Sequence, residues 1–400
     1  MAVEENTDVS ESTQAPASDS GTVKEAAVTP EEAVRAATID FKPWTRVWRR
    51  YWQRRWLRFW AWYIKRTRAG ERWLIFNGDS HHHEFNAYFN ENAYRFGDEL
   101  HKHFPNDLRR RLEGFTEDGG EPFLIVKGVF SRRLPQKSFA KALERDPANP
   151  LRKIVGKNAE KLLGEHRINL IAAGLVAATG AELRYKQPGQ KAYRDYITSV
   201  DMEKTQFVEG GDIPLYYRSA TPEQIPSKTG GAGRAARINL FACIENPIAD
   251  PVYLIRADDV VSRLTETERR LLSEDSYYFF DFWNLDKLAP GRINLVKHIL
   301  YDGNTPDKPW LSFDPNRLWP SYDKTTAAHR EALVALMASI QHVGAHNARK
   351  IVLQRGDALI VDNYRALICR RERQHFYFDP WPIGRPQLRW LRAYYGFPRL

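Results

Sequence analysis

Apolar positions along this chain follow two different periods, and the change between them marks where a packed core begins. From about Glu121 onward, short β-branched and aromatic runs dominate: FLIVKGVF, interrupted by Gly128, then RINLFACIE, PVYLIRA, SYYFFDFW and RINLVKHIL, and near the end KIVLQ, DALIVDN, RALICRR, HFYFD and LRWLRAYYG. Their lengths and the tight turns between them predict strands. Helical spacing is found between them. Residues 153–179 carry Leu162, Leu163, Ile168, Leu170, Ile171, Leu175 and Val176 at helical intervals, with Gly180 as terminator. TETERRLLSED starts on Thr265 with Glu268 three residues on, the signature of a capping box. A second amphipathic helix spans about 325–344. Helices flanking a largely antiparallel set of strands predict an α+β fold with a sandwich or open-barrel core.

Ahead of that core the pattern differs. Residues 1–30 are rich in Ser, Thr, Glu and Ala, with too little apolar surface to offset chain entropy, and read as a disordered tail. A short helix can start at Pro30, since Glu31 and Glu32 follow a first-turn proline. Residues 31–72 form an acidic-to-basic segment, and 73–400 the main domain. Within the segment, Trp44, Trp48, Trp52, Trp56 and Trp60 recur every four residues, joined by Tyr51, Phe59, Trp62 and Tyr63. A four-residue period drifts by about 40° per step on a helix, so the stripe winds around it. Arg46, Arg49, Arg50, Arg54, Arg55 and Arg58 fill the gaps and can stack on the indoles. This basic Trp-rich helix has three readings: docking on the main domain or a protein partner, lying in the interface of an anionic membrane through residues 41–66, or stacking on nucleic acid.

Charge bears on that choice. The chain carries a net +10, but residues 1–40 hold nine acidic side chains against Lys24 and Arg35, while 41–72 hold eleven Lys or Arg against Glu71. The densest positive charge therefore sits beside an acidic tail that neutralises part of it, which argues against nucleic acid. Cys243 and Cys369 cannot build a disulfide framework or a thiolate cluster, so a reducing cytoplasm is expected, with peripheral membrane association as the variant. No run of 18 apolar residues is present. His81, His82 and His83 are consecutive, and adjacent side chains splay apart, so they read as an exposed loop. Gly230, Gly231 and Gly233, with Lys228, Arg234 and Arg237, read as a loop between strands, an anion cradle being the alternative. No nucleotide-binding glycine fingerprint, H-E-x-x-H or C-x-x-C occurs.

The order of pieces between residues 121 and 397 resembles the clavaminate synthase-like branch of the taurine dioxygenase superfamily, the iron(II)- and 2-oxoglutarate-dependent oxygenases. TQFVEGGDIPLYYRSAT followed by RINLFACIENPIADPVYLIRADDVVSRL is similar to that family's first motif strand and the elements after it. KPWLSFDPNRLWP resembles its Phe-Asp element near the substrate. VLQRGDALIVDNYRALICRR resembles the strand-turn-strand leading to its distal motif, and LRWLRAYYG its closing strand. The resemblance implies a double-stranded β-helix (jelly-roll, cupin-like) core flanked by helices.

That family binds iron through a His, a carboxylate two residues later and a second, distant His, which suits a ferrous ion with open positions for a keto acid and dioxygen. Carried onto this chain, the pair falls on Tyr216 and Arg218 and the distal histidine on Ile368. A threonine that helps hold 2-oxoglutarate is replaced near Val252 or Tyr253, while the cosubstrate arginine is kept as Arg389. Arginine stays protonated and cannot ligate a metal, so no metal ligand is assigned. The resemblance then implies a degenerate, iron-free member, binding or non-oxidatively transforming a small carboxylate or amino-acid-like molecule in specialised metabolism. Tyr216 would be its acid–base group, Arg218 and Arg389 its anion clamps, and Asp314 a partner for a cationic ligand group. Two alternatives stand beside it: an active hydroxylase using iron(II) and 2-oxoglutarate through displaced ligands such as His298 or His375, and a non-catalytic scaffold docked through the Trp/Arg helix.

Overall fold

The computed structural model describes residues 28–40, 97–130, 165–184, 193–197, 215–220, 226, 228, 234–279, 295–370 and 390–399, apart from positions 99, 103, 118–119, 247–248, 306–307, 316 and 321–323. The Trp/Arg segment after residue 40, His81 to His83, the triple-glycine stretch, His375 and Arg389 lie outside the described residues.

Among the described residues the helices are α1 Pro30–Ala36, α2 Asn106–Glu113, α3 Glu165–Ala178, α4 Ala257–Val261, α5 Glu266–Leu272 and α6 Ala327–His346. The strands begin with β1 Thr38–Asp40, β2 Phe123–Lys127, β3 Ala181–Leu183, β4 Tyr193–Ile197, β5 Leu215–Arg218, β6 Ile238–Glu245, β7 Val252–Arg256 and β8 Tyr277–Phe279. They continue with β9 Leu295–Lys297, β10 Leu300–Tyr301, β11 Trp310–Leu311, β12 Leu318–Pro320, β13 Arg349–Ile351, β14 Ala358–Asp362, β15 Ala366–Arg370 and β16 Trp390–Pro398.

The larger sheet runs β1-β2-β14-β6-β16-β3, with β4 also pairing with β16, and the smaller runs β13-β7-β15-β5. Each pairing in the two sheets is antiparallel except that of β1 with β2. Counting only β4, β5, β6, β7, β13, β14, β15 and β16 in chain order, one sheet reads first-eighth-third-sixth and the other second-seventh-fourth-fifth. Alternation along the strands then decides which side chains meet. Phe123, Ile125, Cys243, Leu359, Val361 and Leu391 of the larger sheet share one apolar cluster with Val252, Leu254, Ile351 and Ala366 of the smaller one. The two sheets are therefore packed face to face.

Helices cover the outer faces. Ile255 and Leu367, the opposite parity on β7 and β15, pack with Leu333, Leu336, Ile340 and Val343 of α6. Helix α3 is apolar almost all round (EHRINLIAAGLVAA), as a buried helix must be. It lies on the larger sheet, where a Cβ on Gly396 would come within 2.6 Å of Val176. It ends at Gly180, whose φ of +78° an L-residue rarely adopts. The expected capping box at Thr265 is present, and Thr29 and Thr326 cap α1 and α6 in the same way, each reciprocal cap contributing on the order of 1 kcal/mol.

The front of the chain differs from the expected division. Helix α1 begins at Pro30 with Ala33 buried, and β1 adds directly to the edge of the larger sheet on β2. Residues 30–40 thus belong to the main fold, because β2 offers a free edge that three residues of extended chain can cover.

The DNYR turn between β14 and β15 is the densest polar junction. Asp362 is fully buried, which pushes its carboxyl up, while Arg237, Arg365 and the Tyr364 N–H pull it down. The Asn363 carboxamide accepts from the Ala220 N–H at 2.6 Å and donates to the Ala220 and Ala236 carbonyls at 2.9 Å each. The Tyr364 hydroxyl donates to the Ala235 carbonyl at 2.7 Å, and Arg365 donates to the Glu117 and Gly120 carbonyls. Replacing Asn363→Ala strands three backbone groups, one buried and two part-buried, and is expected to destabilise the protein by about 2 kcal/mol in chemical denaturation. Asn239 makes the opposite case. It is fully buried on the same face of β6 as Phe241 and Cys243, with no hydrogen-bond partner for either side-chain polar atom among the described residues. Asn239→Leu, similar in volume, should raise stability by about 1 kcal/mol, and a loss of stability would contradict this.

Candidate functional site

The end of β5 is held by side-chain as well as backbone bonds. The Ser219 N–H donates to the Phe313 carbonyl at 2.7 Å, its hydroxyl donates to the Leu311 carbonyl at 3.1 Å, and the same oxygen accepts the Phe313 N–H at 3.1 Å. These bonds fix the 311–314 segment beside the end of β5. Tyr217 points to the outer face, where its ring packs so close to Gly344 of α6 that a Cβ there would lie 2.4 Å away. Alternation turns Arg218 inward, on the side of Ala220, which packs on Ala236, Ala393 and Tyr395.

Arg218 stands directly opposite Ile368 on β15, and Ile368 is in turn opposite Leu254 on β7. Ile368 packs on the inter-sheet cluster, so both side chains face the interior of the sandwich. Tyr216 lies two residues before Arg218 on the same strand. Arg218 Nη1 is 3.7 Å from Asp314 Oδ2, and Arg317 Nε is 3.8 Å from the same oxygen. Asp314 is 1% exposed and Arg218 23%, so the ion pair runs from a buried carboxylate to a guanidinium that solvent or a ligand can reach. These separations are ion-pair contacts rather than hydrogen bonds. Lys297, also buried, donates to the Ser312 hydroxyl at 3.4 Å, two residues before Asp314. Among the described residues, Arg218, Arg317 and Lys297 thus lie along the stretch that carries Ser312 and Asp314.

The structure brings together Arg218, Ile368 and Asp314, three of the positions the sequence pointed to. His298 is elsewhere: its Nδ1 lies 3.3 Å from Asp275 and its ring meets Tyr301 edge-on. Val252 is an inner-cluster residue. Arg237 is engaged structurally, donating to the Thr116 carbonyl, pairing with Asp362 and stacking on Trp310 and Tyr364. Sequence reasoning missed Arg317, Lys297, Ser219 and Asn363. Arg317 had a signal, lying three residues after Asp314 in a segment already singled out; Lys297 and Ser219 had none.

No protein-family model matches the chain, and no curated protein matches it. Solved structures do resemble it. One is non-heme iron oxygenase OrfP in complex with iron, at TM-score 0.52 and 17% identity, covering 78% of this chain and 85% of that one. Another is an asparagine oxygenase in complex with Fe(II), 3-hydroxyasparagine and succinate, at TM-score 0.53 and 16% identity, covering 85% and 89%. A third, OrfP with iron and L-Arg, aligns at TM-score 0.51 and 18% identity over 78% and 84%. At such identities the likeness establishes a shared fold with non-haem iron oxygenases.

The iron of those neighbours raises the question of fit here. A guanidinium has no free lone pair at accessible pH and an isoleucine has none at all, so positions 218 and 368 offer a ferrous ion no donor. Among the described residues no group of three or more His, Cys, Asp or Glu is placed to hold a metal. The donor set at these positions does not fit iron.

Asp314→Asn would leave Arg218 and Arg317 without their shared counter-charge and is expected to destabilise by about 2 kcal/mol. A double-mutant cycle of Asp314→Asn with Arg218→Met should return a coupling of about 1 kcal/mol in urea unfolding, and additive effects would show that the 3.7 Å pair is idle.

Proposed function

We propose that the sandwich is a jelly-roll of the iron- and 2-oxoglutarate-dependent oxygenase type whose metal position has become an anion pocket. In this reading the protein binds, or transforms without oxidation, a small carboxylate or amino-acid-like molecule. The observation that carries it is the placement of Arg218 opposite Ile368 on the inner face of the smaller sheet. Those are two of the three positions where the family resemblance requires metal ligands, and they hold a cation and an alkyl group. The interleaved strand order supports the jelly-roll, since an eight-stranded pair of Greek keys has that order.

The chemistry follows from charge. A guanidinium offers a planar fork that grips two oxygens of a carboxylate, and Arg218 is the partly exposed member of the buried basic group. Arg389, one residue before β16, is the second clamp. Tyr216 is the group assigned to move a proton. Asp314 orients Arg218 and is the carboxylate assigned to a cationic group of the ligand. The amino-acid ligands of the structural neighbours support the ligand class, and a place in specialised metabolism extends the same argument.

Calorimetry and thermal-shift titration with the L-amino acids, succinate and 2-oxoglutarate test this without metal. Binding is expected, unchanged by manganese(II), and weakened at least about tenfold in Arg218→Ala, the value of one charge-assisted contact. Anaerobic iron(II) with 2-oxoglutarate should give no visible charge-transfer band in the wild type. The triple variant Tyr216→His, Arg218→Glu, Ile368→His should gain one. A band in the unaltered protein would overturn the proposal in favour of an active oxygenase with displaced ligands.

A further inference from the structure

Two histidines outside the pocket have a geometry of their own. His342 and His346 lie four residues apart on the exposed face of the last turn of α6, the spacing that places two side chains one above the other on a helix. Their ring centroids are 4.5 Å apart with an interplanar angle of 63°. That separation can be compared with what shared coordination needs. An imidazole nitrogen bound at about 2.1 Å puts its ring centre about 3.2 Å from the ion. Two such rings are then about 4.6 Å apart at a right-angle bite and about 5.3 Å apart at a tetrahedral one. The observed spacing matches the right angle.

We propose that His342 and His346 form a surface chelate for a tetragonal or octahedral divalent transition ion, copper(II) or nickel(II) in class, separate from the interior pocket. Imidazole donors and a cis right-angle bite are what those ions take, with water completing the shell. The site sits at the negative end of the α6 dipole, which favours a cation there. Asn347 closes that end, its N–H donating to the Val343 carbonyl at 2.8 Å. One charged neighbour opposes binding: Arg263 acts on His342 electrostatically, from an exposed position where solvent screens it. Gly344, between the two histidines in sequence, is the residue against which Tyr217 packs, so the chelated turn is the one that braces β5 from outside. The inference does not rest on the pocket reading.

The test uses the full chain in a background carrying His81→Gln, His82→Gln and His83→Gln, which removes the competing histidine run. Calorimetric titration with copper(II) and nickel(II) chloride should show one ion per chain at micromolar affinity. The melting temperature should rise, and EDTA should reverse the rise. His342→Gln and His346→Gln, at exposed positions, should each weaken binding at least tenfold while leaving the apo melting temperature unchanged. Arg263→Ala should tighten it several-fold. Magnesium and calcium should not bind. Stoichiometric binding that survives both glutamine variants, or no binding in the parent background, would overturn the site.

Discussion

The carboxamide of Asn363 is the constraint on which the interior of this protein depends. It holds both backbone groups of Ala220 and the carbonyl of Ala236, and so ties the end of β5 to the start of β6 across the turn between β14 and β15. A slip of β5 by one residue would send Arg218 outward and Tyr217 inward. The three bonds to Asn363 and the three of Ser219 to the 311–313 segment together remove that freedom. Everything said about Arg218 follows from this pinning.

With Arg218 fixed inward, electrostatics sets the character of its surroundings. Burying a guanidinium without a counter-charge is costly, and Asp314 supplies one while itself relying on Arg218 and Arg317. Among the described residues Lys297 stands at the edge of the same stretch, donating to Ser312. An iron oxygenase of the same fold arranges anionic and neutral donors around a cation. Here a guanidinium, that of Arg218, faces the interior beside a buried carboxylate.

The outer layers do different work. Helix α6 carries the buried face that covers the smaller sheet, and its exposed face ends in the two histidines. One helix thus has an apolar side committed to packing and an exposed side that carries the two histidines.

Much of the architecture was legible in order. The runs RINLFACIE, PVYLIRA, DALIVDN, RALICRR and LRWLRAYYG became β6, β7, β14, β15 and β16, because alternating β-branched residues satisfy a pleated sheet locally. The capping box at Thr265 was readable for the same reason, being complete within four residues. What lies beyond local reach was not readable. The joining of residues 38–40 to β2 spans more than eighty positions. Arg218 meets Asp314 across ninety-six, and Asn363 meets Ala220 across 143. The amino-acid pattern determined which segments are strands, and it singled out Arg218 and Ile368 among the candidate positions. Only the folded chain decided that these two stand opposite one another with a buried carboxylate beside the arginine, because such contacts are set by sheet pairing and not by neighbours in sequence.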